Sequence, residues 1–478
     1  MRRFFACMVS CVLVLSCIFS FASGEQAVSA GVAFADHFTY RLLDDGTAEI
    51  LQYTGEEATL DIPAELGGVP VTSIGASAFK SNKTIMDVTI PEGVKILGDF
   101  AFQRCVTLTE VSLPDSIIEV GLNPFEGCES LSDLDISEDH AYLLLHNGVL
   151  FSRPDCRLIY YPKLKDRGPY TIPNNTRIIG ASAFYECENV TAITVPDTVT
   201  AIGKRAFYQC GGLKEINLPP EISTIGADAF NGCRQLKKIT FPEKVTSIGD
   251  RAFYDCTNLT ELLLPEAITA IGEMAFYNCS GITSIRVPDG VTAIGRNTFT
   301  RCRNLKDVVL PEGLSYIGAG AFSECEALEK VALPDSVGYI GSNAFDGCEA
   351  LTEISIPDRC SYIGSYAFYR CWALKAVTLP SYVYTLSPYV FSGCKSLEEV
   401  ILPEELEEIG EYAFAACEAL QKIEIPDPVE IIGDFAFAYC SALAEVVLPE
   451  DLDSVGPHTF EDCPNLKDLP DLSDMITI

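Results

Sequence analysis

The chain has 478 residues, of which 48% are hydrophobic and 10% aromatic, so it has enough apolar side chains to bury a large core. This composition excludes a generally disordered chain. Acidic residues outnumber basic residues 67 to 33, which gives a formal net charge of −34. Because such a surface repels nucleic-acid phosphates and anionic lipid headgroups, we expect no nucleic-acid partner.

Residues 1–24 have the composition of a signal peptide. Two arginines precede an apolar stretch over residues 4–21, and small residues suited to signal peptidase end the segment at Gly24. We therefore predict export, to a secreted or cell-surface location. An alternative is a lipoprotein signal, in which Cys17 would become the lipidated N-terminus. No later segment approaches the roughly 20 apolar residues that span a bilayer, so we predict no transmembrane anchor.

A repeat of 23 residues accounts for most of the chain. Phenylalanine recurs at this period from Phe79 to Phe125 and again from Phe184 to Phe460, in sixteen copies. Relative to these phenylalanines, position −4 is glycine, position +3 is cysteine and position −11 is proline, each in fifteen copies. The only break in the series is the 59-residue step from Phe125 to Phe184. That step is one period plus 36 residues.

Two extended pieces are predicted in each copy. In the copy around Phe253, apolar residues alternate near the end of 236–241, which indicates a short strand. Pro242 ends this strand, because proline has no amide proton to donate to a neighbouring strand. A second extended piece follows over residues 245–248, so each copy contributes two strands.

A corner and a short helical turn are predicted after the second strand. Gly249 provides the backbone freedom for the corner. Ala252, Phe253 and Cys256 then have helical spacing, which predicts about one turn of helix with an apolar inner face. Since no 23-residue unit can cover its own apolar side, the copies must stack into a solenoid.

The repeats resemble the BspA-like (Treponema-type) leucine-rich repeats of bacterial and protozoan surface proteins. The shared pattern is Leu-x-x-Ile-x-Leu-Pro followed by Val-Thr-x-Ile-Gly-x-x-Ala-Phe-x-x-Cys. The resemblance implies a leucine-rich repeat solenoid, a curved stack of about sixteen 23-residue coils with a parallel β-sheet on one face and short helical turns on the other. It also implies adhesion or recognition of proteins at a surface.

Five regions follow from the repeat boundaries. They are a signal peptide over 1–24, an N-terminal cap over 25–70, three repeats over 71–136, a β-hairpin-like insertion over 137–169, and thirteen repeats with the C-terminal end over 170–478. The cap and the insertion are assigned by resemblance to the family, and the Asn147-Gly148 pair in the insertion is itself a tight-turn signal.

The sequence gives little support to catalysis. Of the four histidines, His140 and His146 could approach each other in the insertion, although two solvated loop residues are the simpler interpretation. Motifs of serine hydrolases, zinc proteases and phosphate-binding loops are absent. The signal peptide, cap, repeats and insertion also leave no segment for a catalytic domain. We therefore predict a protein that is not an enzyme and has no cofactor.

Fifteen of the twenty cysteines occupy position +3 of the repeat. In stacked coils their α carbons would be about 5 Å apart, which is close enough for disulfides, but their side chains would point in parallel. We therefore favour buried reduced thiols. A metal site is not predicted, because the sequence has no Cys-x-x-Cys pair and no cluster of cysteine and histidine.

The first strand of each copy predicts an exposed surface. Position +8 should point outward on the concave sheet, and ten of its sixteen residues are acidic, the last being Asp468. Position +10 turns apolar in several later copies, which suggests docking points. The candidate binding residues are Glu215, Lys238, Glu261, Leu263, Asp307, Val309, Lys330, Glu353, Glu399, Ile401, Lys422 and Glu445. The alternatives are a face that is merely solvated and a site for a basic ligand or for weakly bound divalent cations.

Aromatic residues also recur at fixed positions. They are Tyr366, Tyr389, Tyr412 and Phe435 at −2, Tyr316, Tyr339 and Tyr362 at −6, and Tyr185, Tyr208, Tyr254 and Tyr277 at +1. Rings at one coil spacing are expected to stack on each other, although an exposed edge of tyrosines also suits protein or glycan contacts.

The predicted function is that of an exported, non-catalytic scaffold for extracellular or cell-surface proteins. The alternative is a structural envelope or matrix component that associates through divalent cations on its acidic face.

Overall fold

The computed structural model describes residues 31–165 and 167–467. The predicted signal peptide, Cys17 and Asp468 lie outside these residues. The described chain forms a β-solenoid of about 18 stacked coils with parallel sheets, which confirms the predicted leucine-rich repeat fold. Successive coils pair through residues 23 positions apart, such as Glu215 with Lys238. Equivalent positions of the repeat therefore lie side by side along the stack.

The first strand of each coil is three residues long in most copies and pairs in parallel with its neighbours. These first strands are Thr59–Asp61, Asp87–Thr89, Glu110–Ser112, Asp133–Asp135, Gly168–Thr171, Val190–Thr194, Glu215–Asn217, Lys238–Thr240, Ser284–Arg286, Asp307–Val309, Lys330–Ala332, Glu353–Ser355, Ala376–Thr378, Glu399–Ile401, Lys422–Glu424 and Glu445–Val447. In the coil of Phe276 the strand is replaced by a single bridge between Lys238 and Glu261.

The second strand of each coil forms a separate parallel ladder and is two residues long in most copies. These second strands are Val69–Ile74, Ile96–Leu97, Glu119–Val120, Arg157–Tyr160, Ile178–Ile179, Ala201–Ile202, Thr224–Ile225, Ser247–Ile248, Ala270–Ile271, Ala293–Ile294, Tyr316–Ile317, Tyr339–Ile340, Tyr362–Ile363, Thr385–Leu386, Glu408–Ile409, Ile431–Ile432 and Ser454–Val455. At the N-terminal end, Val32–Ala35, Phe38–Leu42 and Ala48–Tyr53 form an antiparallel meander, and Glu65–Leu66 pairs with Val69–Ile74. The meander joins the ladder through Ala48–Tyr53.

Between the two strand ladders lies a core built on the repeated phenylalanines. Most of these rings are fully buried, and rings of successive coils stack with centroids 4.6–5.9 Å apart. In the middle of the stack, Phe253 lies 5.4 Å from Phe276 and almost parallel to it. Burial of each ring removes a large apolar surface from water, so this column is a main source of stability.

The segment after the second strand is a series of tight turns, and the predicted helical turn is wrong. Within the coil of Phe276, the amide of Tyr277 donates to the carbonyl of Met274 at 3.1 Å. The amide of Phe276 instead donates to Thr298 of the next coil at 3.0 Å. Met274 and Asn278 have φ values of 56° and 54°, and a right-handed helix cannot continue through such residues.

The glycine at position −4 is required by close packing in thirteen of its fifteen copies, the exceptions being Gly226 and Gly295, and not by an unusual backbone angle. We expected Gly249 to supply conformational freedom, but neither Gly249 nor Gly272 has a positive φ. A Cβ atom on Gly272 would lie 2.4 Å from the amide nitrogen of Asp250 and 2.6 Å from the carbonyl carbon of Gly249. The corner of one coil therefore rests directly on the backbone of the preceding coil.

Two coils use tyrosine in place of phenylalanine. The amide of Tyr161 donates to the carbonyl of Ala183 at 2.9 Å, the same bond that fourteen of the sixteen repeat phenylalanines make to the next coil. Tyr53 makes the equivalent bond to Ala78 at 3.0 Å. Since Tyr161 precedes Phe184 by one period of 23 residues, the break in the repeat contains a degenerate coil.

The hairpin of the insertion packs against the core on both of its sides. Leu143–His146 pairs antiparallel with Val149–Ser152, which pairs antiparallel with Arg157–Tyr160. Leu150 and Ile159 join the N-terminal part of the core, whereas neighbouring side chains on the same strands join the C-terminal part. The insertion therefore continues the stack instead of interrupting it.

The role of the −4 glycine can be tested with Gly272→Ala. We expect a loss of about 1–3 kcal/mol in the free energy of unfolding, because the new methyl group overlaps backbone atoms. The measurement is the urea-induced unfolding midpoint of the mature chain. Gly313→Ala is the matched control, since no atom lies within 4 Å of its Cβ position. Equal effects of the two substitutions would contradict the packing role.

Candidate binding surface

All twelve candidate binding residues are exposed and lie in the coils of the first-strand ladder. Nine of them are at position +8, and the apolar residues Leu263, Val309 and Ile401 are at +10. In the strand Asp307–Val309 the middle residue is buried and its two neighbours are exposed, which is the alternation expected of a half-buried strand. We call the face formed by positions +8 and +10 the first-strand surface.

Lysines on the first-strand surface pair with glutamates of the next coil. The Nζ–Oε distances are 3.1 Å for Lys238 with Glu261 and 2.6 Å for both Lys330 with Glu353 and Lys422 with Glu445. The hydrogen bond that Lys330 donates to Glu353 raises the pKa of Lys330, and the bond from Lys422 to Glu445 raises the pKa of Lys422. These exposed pairs relieve repulsion between the acids and contribute little to stability.

Other acids on this surface have no cationic partner. Glu215, Asp307 and Glu399 form no ion pair with any residue in the described part of the chain. Because no lysine or arginine neutralises these carboxylates, they attract cationic groups from solution. Along the first-strand surface, coils whose lysine–glutamate pairs cancel in charge therefore lie between coils with an unpaired negative charge.

Apolar side chains are exposed beside these acids. Leu263 is 86% exposed, and Val309 and Ile401 are each 50% exposed. Near the C-terminal end, a groove of about 530 Å³ is lined by Ile401 and Val447 together with the acidic side chains of Glu404, Glu424 and Asp427. We call it the acidic groove, and it combines apolar contact area with negative charge.

The described residues contain no group of three or more histidine, cysteine, aspartate or glutamate side chains arranged to hold a metal ion. Position +8 contributes at most one carboxylate per coil, whereas a calcium ion takes six to eight oxygen ligands. Cations from solution can therefore screen the charge of this row, but its described residues form no preformed cation site.

His140 is buried and structural, unlike the solvated loop residue that we expected. Its Nδ1 accepts hydrogen bonds from the amides of Tyr142 and Leu143, both at 3.1 Å. The proton therefore resides on Nε2, which donates to the carbonyl of Pro114 at 3.1 Å. His146 is exposed and contacts the side chain of Asn147. The two imidazoles are thus committed to different partners.

The cysteines at position +3 are free thiols, as predicted, and they also make hydrogen bonds that the sequence did not reveal. The Sγ of Cys279 donates to the carbonyl of Phe253 in the preceding coil at 3.0 Å. All fifteen of these cysteines make the equivalent bond, and in the degenerate coil the acceptor is the carbonyl of Tyr161. Burial raises the pKa of Cys302 to about 12, so this thiol stays protonated.

The aromatic rows stack as expected wherever the rings occupy successive coils. Tyr366, Tyr389, Tyr412 and Phe435 stack at 4.5–4.7 Å, and His458 continues this row at 4.6 Å. Tyr316, Tyr339 and Tyr362 stack at 4.7–4.8 Å. These rings pack on each other and keep one edge in solvent.

Residues 31–165 and 167–467 contain no helix that is long and apolar enough to cross a bilayer.

The coils that use tyrosine in place of phenylalanine were the main features that we missed from the sequence. The sequence did contain a sign of the coil at Tyr161, because Tyr161 lies in register with the repeat phenylalanines. The glycine at −4 and the cysteine at +3 that accompany most of these phenylalanines are absent around Tyr161.

Comparison with known families gives one clear match. The family model described as BspA type leucine rich repeat region (6 copies) matches residues 69–145, 168–283, 269–395 and 361–478. The search of curated proteins gives no match.

Several solved structures are similar. One is a leucine rich cell surface protein from Faecalibacterium prausnitzii, with 24% identity and a TM-score of 0.45, covering 78% of this chain and 95% of that chain. Another is a leucine-rich repeat protein from Bacteroides ovatus, with 27% identity and a TM-score of 0.40, covering 91% of this chain and 93% of that chain.

The state of the thiols can be tested by alkylation with iodoacetamide at pH 8, followed by mass spectrometry. We expect the half-buried Cys156 and Cys463 to react in the folded protein, and all seventeen cysteines of the described chain to react in guanidinium. The fold should also lose stability as the pH rises from about 9, since unfolded thiols ionise while Cys302 keeps its proton. Rapid labelling of Cys302 in the folded protein would contradict this burial.

Proposed function

The chain belongs to the BspA-type leucine-rich repeat family, and on that premise we propose that it is an exported, non-catalytic scaffold that binds proteins at a cell surface or outside the cell. The first-strand surface is the proposed binding face, and its partners carry basic and apolar side chains. The observation that carries this proposal is the acidic groove, where exposed apolar side chains lie beside unpaired carboxylates.

Charge complementarity supports a basic partner. The chain has a net charge of −34, and the unpaired acids of the first-strand surface add a local negative field. Such a field accelerates the approach of cationic proteins and rejects anionic ones. The lysines do not reverse this preference, because those at 238, 330 and 422 are each paired with a glutamate.

Exposed apolar side chains supply the affinity that surface charges alone do not give. Ile401 and Val447 are 50% and 40% exposed, and a partner that covers them removes apolar area from water. The parallel register fixes these side chains at one-coil intervals, so a partner meets a preorganised surface. Binding therefore combines a few apolar anchors with a surrounding acidic field.

Export is part of the same proposal. The N-terminal segment has the arginines, apolar stretch and small residues of a signal peptide. Free thiols are compatible with an oxidising compartment here, because every cysteine at position +3 except the half-buried Cys463 is protected by burial and by its bond to a carbonyl.

The test is a pull-down with residues 25–478 against extracellular-matrix and cell-surface extracts, with and without chelator, followed by affinity measurement on the captured protein. We expect saturable binding that is insensitive to chelator. The double variant Glu399→Lys/Glu424→Lys should weaken it at least about tenfold at low salt, because both reversals place cations beside the acidic groove.

Glu411→Lys is the matched control, since Glu411 is an exposed acid on the turn side of the stack. It should leave the affinity unchanged. If the double variant and the control bind equally well, the first-strand surface is not the binding face. If the chain only self-associates, and only with divalent cations, the structural envelope alternative is the better account.

A further inference from the structure

The row of tyrosines at position +1 has one missing ring. Tyr185 stacks on Tyr208 with centroids 5.0 Å apart, and Tyr254 stacks on Tyr277 at 4.6 Å. The coil between these pairs carries Asn231 at the same position. Tyr208 and Tyr254 therefore face each other across one coil that contributes no ring. We call this gap the tyrosine notch.

The notch has room for one additional ring. Successive coils here are about 5 Å apart, since Phe207 lies 5.1 Å from Phe230 and Phe230 lies 5.3 Å from Phe253. A ring placed midway between the two tyrosines would thus have one coil spacing on each side. The groove at this place has a volume of about 780 Å³, within the range of roughly 300–1,000 Å³ found for small-molecule sites.

The floor of the notch is polar and rigid. Asn231 is buried, and its Nδ2 donates to Oδ1 of Asp228 at 2.9 Å. The Nε of Arg251 donates to the same carboxylate oxygen at 2.9 Å. Arg234 pairs with Asp255 at 2.8 Å on the far side. Both donors and acceptors are thus held in place around the gap by their bonds to each other.

From this arrangement we infer that the tyrosine notch binds one pyranose ring of a glycan. A pyranose has two faces of C–H groups, which suit the two tyrosine rings, and an equatorial belt of hydroxyls that both donate and accept hydrogen bonds. The carboxylates of Asp228 and Asp255 would accept from such hydroxyls, and the guanidinium groups of Arg234 and Arg251 would donate to them.

An aromatic side chain from a partner protein fits the notch less well. It would stack on the tyrosines, but it would cover the remaining N–H groups of Arg234 and Arg251, whose side chains are 68% and 48% exposed, without offering them an acceptor. Burying polar groups without hydrogen-bond partners costs free energy. The polar lining therefore favours a sugar over an apolar ring.

The notch lies on the turn side of the stack, at positions −2, +1, +2 and +4 of the repeat, and not on the first-strand surface. Its failure or success is therefore independent of the protein-binding proposal.

The test is saturation-transfer difference NMR of residues 25–478 with a panel of methyl pyranosides in the gluco, galacto, manno, N-acetylglucosamine and glucuronate series. We expect transfer to the ring protons of at least one of them. The key variant is Asn231→Tyr, which completes the row with the residue found at this position in four neighbouring coils. It should fold like the parent chain and abolish the transfer.

Tyr254→Ala removes one wall and should also abolish the signal. Tyr369→Ala is the matched control, because Tyr369 has the same repeat position in a distant coil and does not line the notch. It should leave the signal unchanged. N-acetyl-tyrosinamide is measured in parallel as an aromatic probe. The proposal would be overturned if no member of the panel shows transfer, if the signal survives Asn231→Tyr, or if only the aromatic probe gives a signal.

Discussion

Every coil of this solenoid completes its hydrogen bonds only by contact with its neighbours. The amide of Phe276 donates forward to the carbonyl of Thr298, while the thiol of Cys279 donates backward to the carbonyl of Phe253. The buried phenylalanine rings stack along the same line. Because these groups lie 22 to 26 residues apart, a 23-residue coil has no stable form by itself, and stability comes from the interfaces between coils.

The fixed register also determines what the surface can do. Each repeat position becomes a row with one side chain per coil, so charge and aromatic character extend over many coils. On the first-strand surface this gives a row of acids with interspersed lysine–glutamate pairs and an apolar groove near Ile401. On the turn side it gives rows of stacked tyrosines, in which the change to Asn231 opens a gap of one ring. Recognition can therefore evolve by single substitutions without altering the fold.

The sequence predicted the coils because their apolar positions repeat without drift, and strand alternation correctly predicted which side chains are exposed. The helical turn was wrong because the spacing of Ala252, Phe253 and Cys256 is shared by tight turns whose residues Arg251 and Asp255 have positive φ. The −4 glycine was correctly singled out but for the wrong reason, since its role depends on the neighbouring coil. The thiol bonds were likewise invisible, because donor and acceptor belong to different copies. The partner of the first-strand surface depends on a second molecule, so it stays a proposal.

The most direct test of the stacking account is the stability of Phe276→Ala compared with Glu261→Ala, measured by urea unfolding of residues 25–478. Phe276 is fully buried in the ring column, whereas Glu261 lies on the exposed first-strand surface two residues from Leu263. The account predicts a loss of about 3–5 kcal/mol for Phe276→Ala and almost none for Glu261→Ala. Equal, small losses for both substitutions would contradict it.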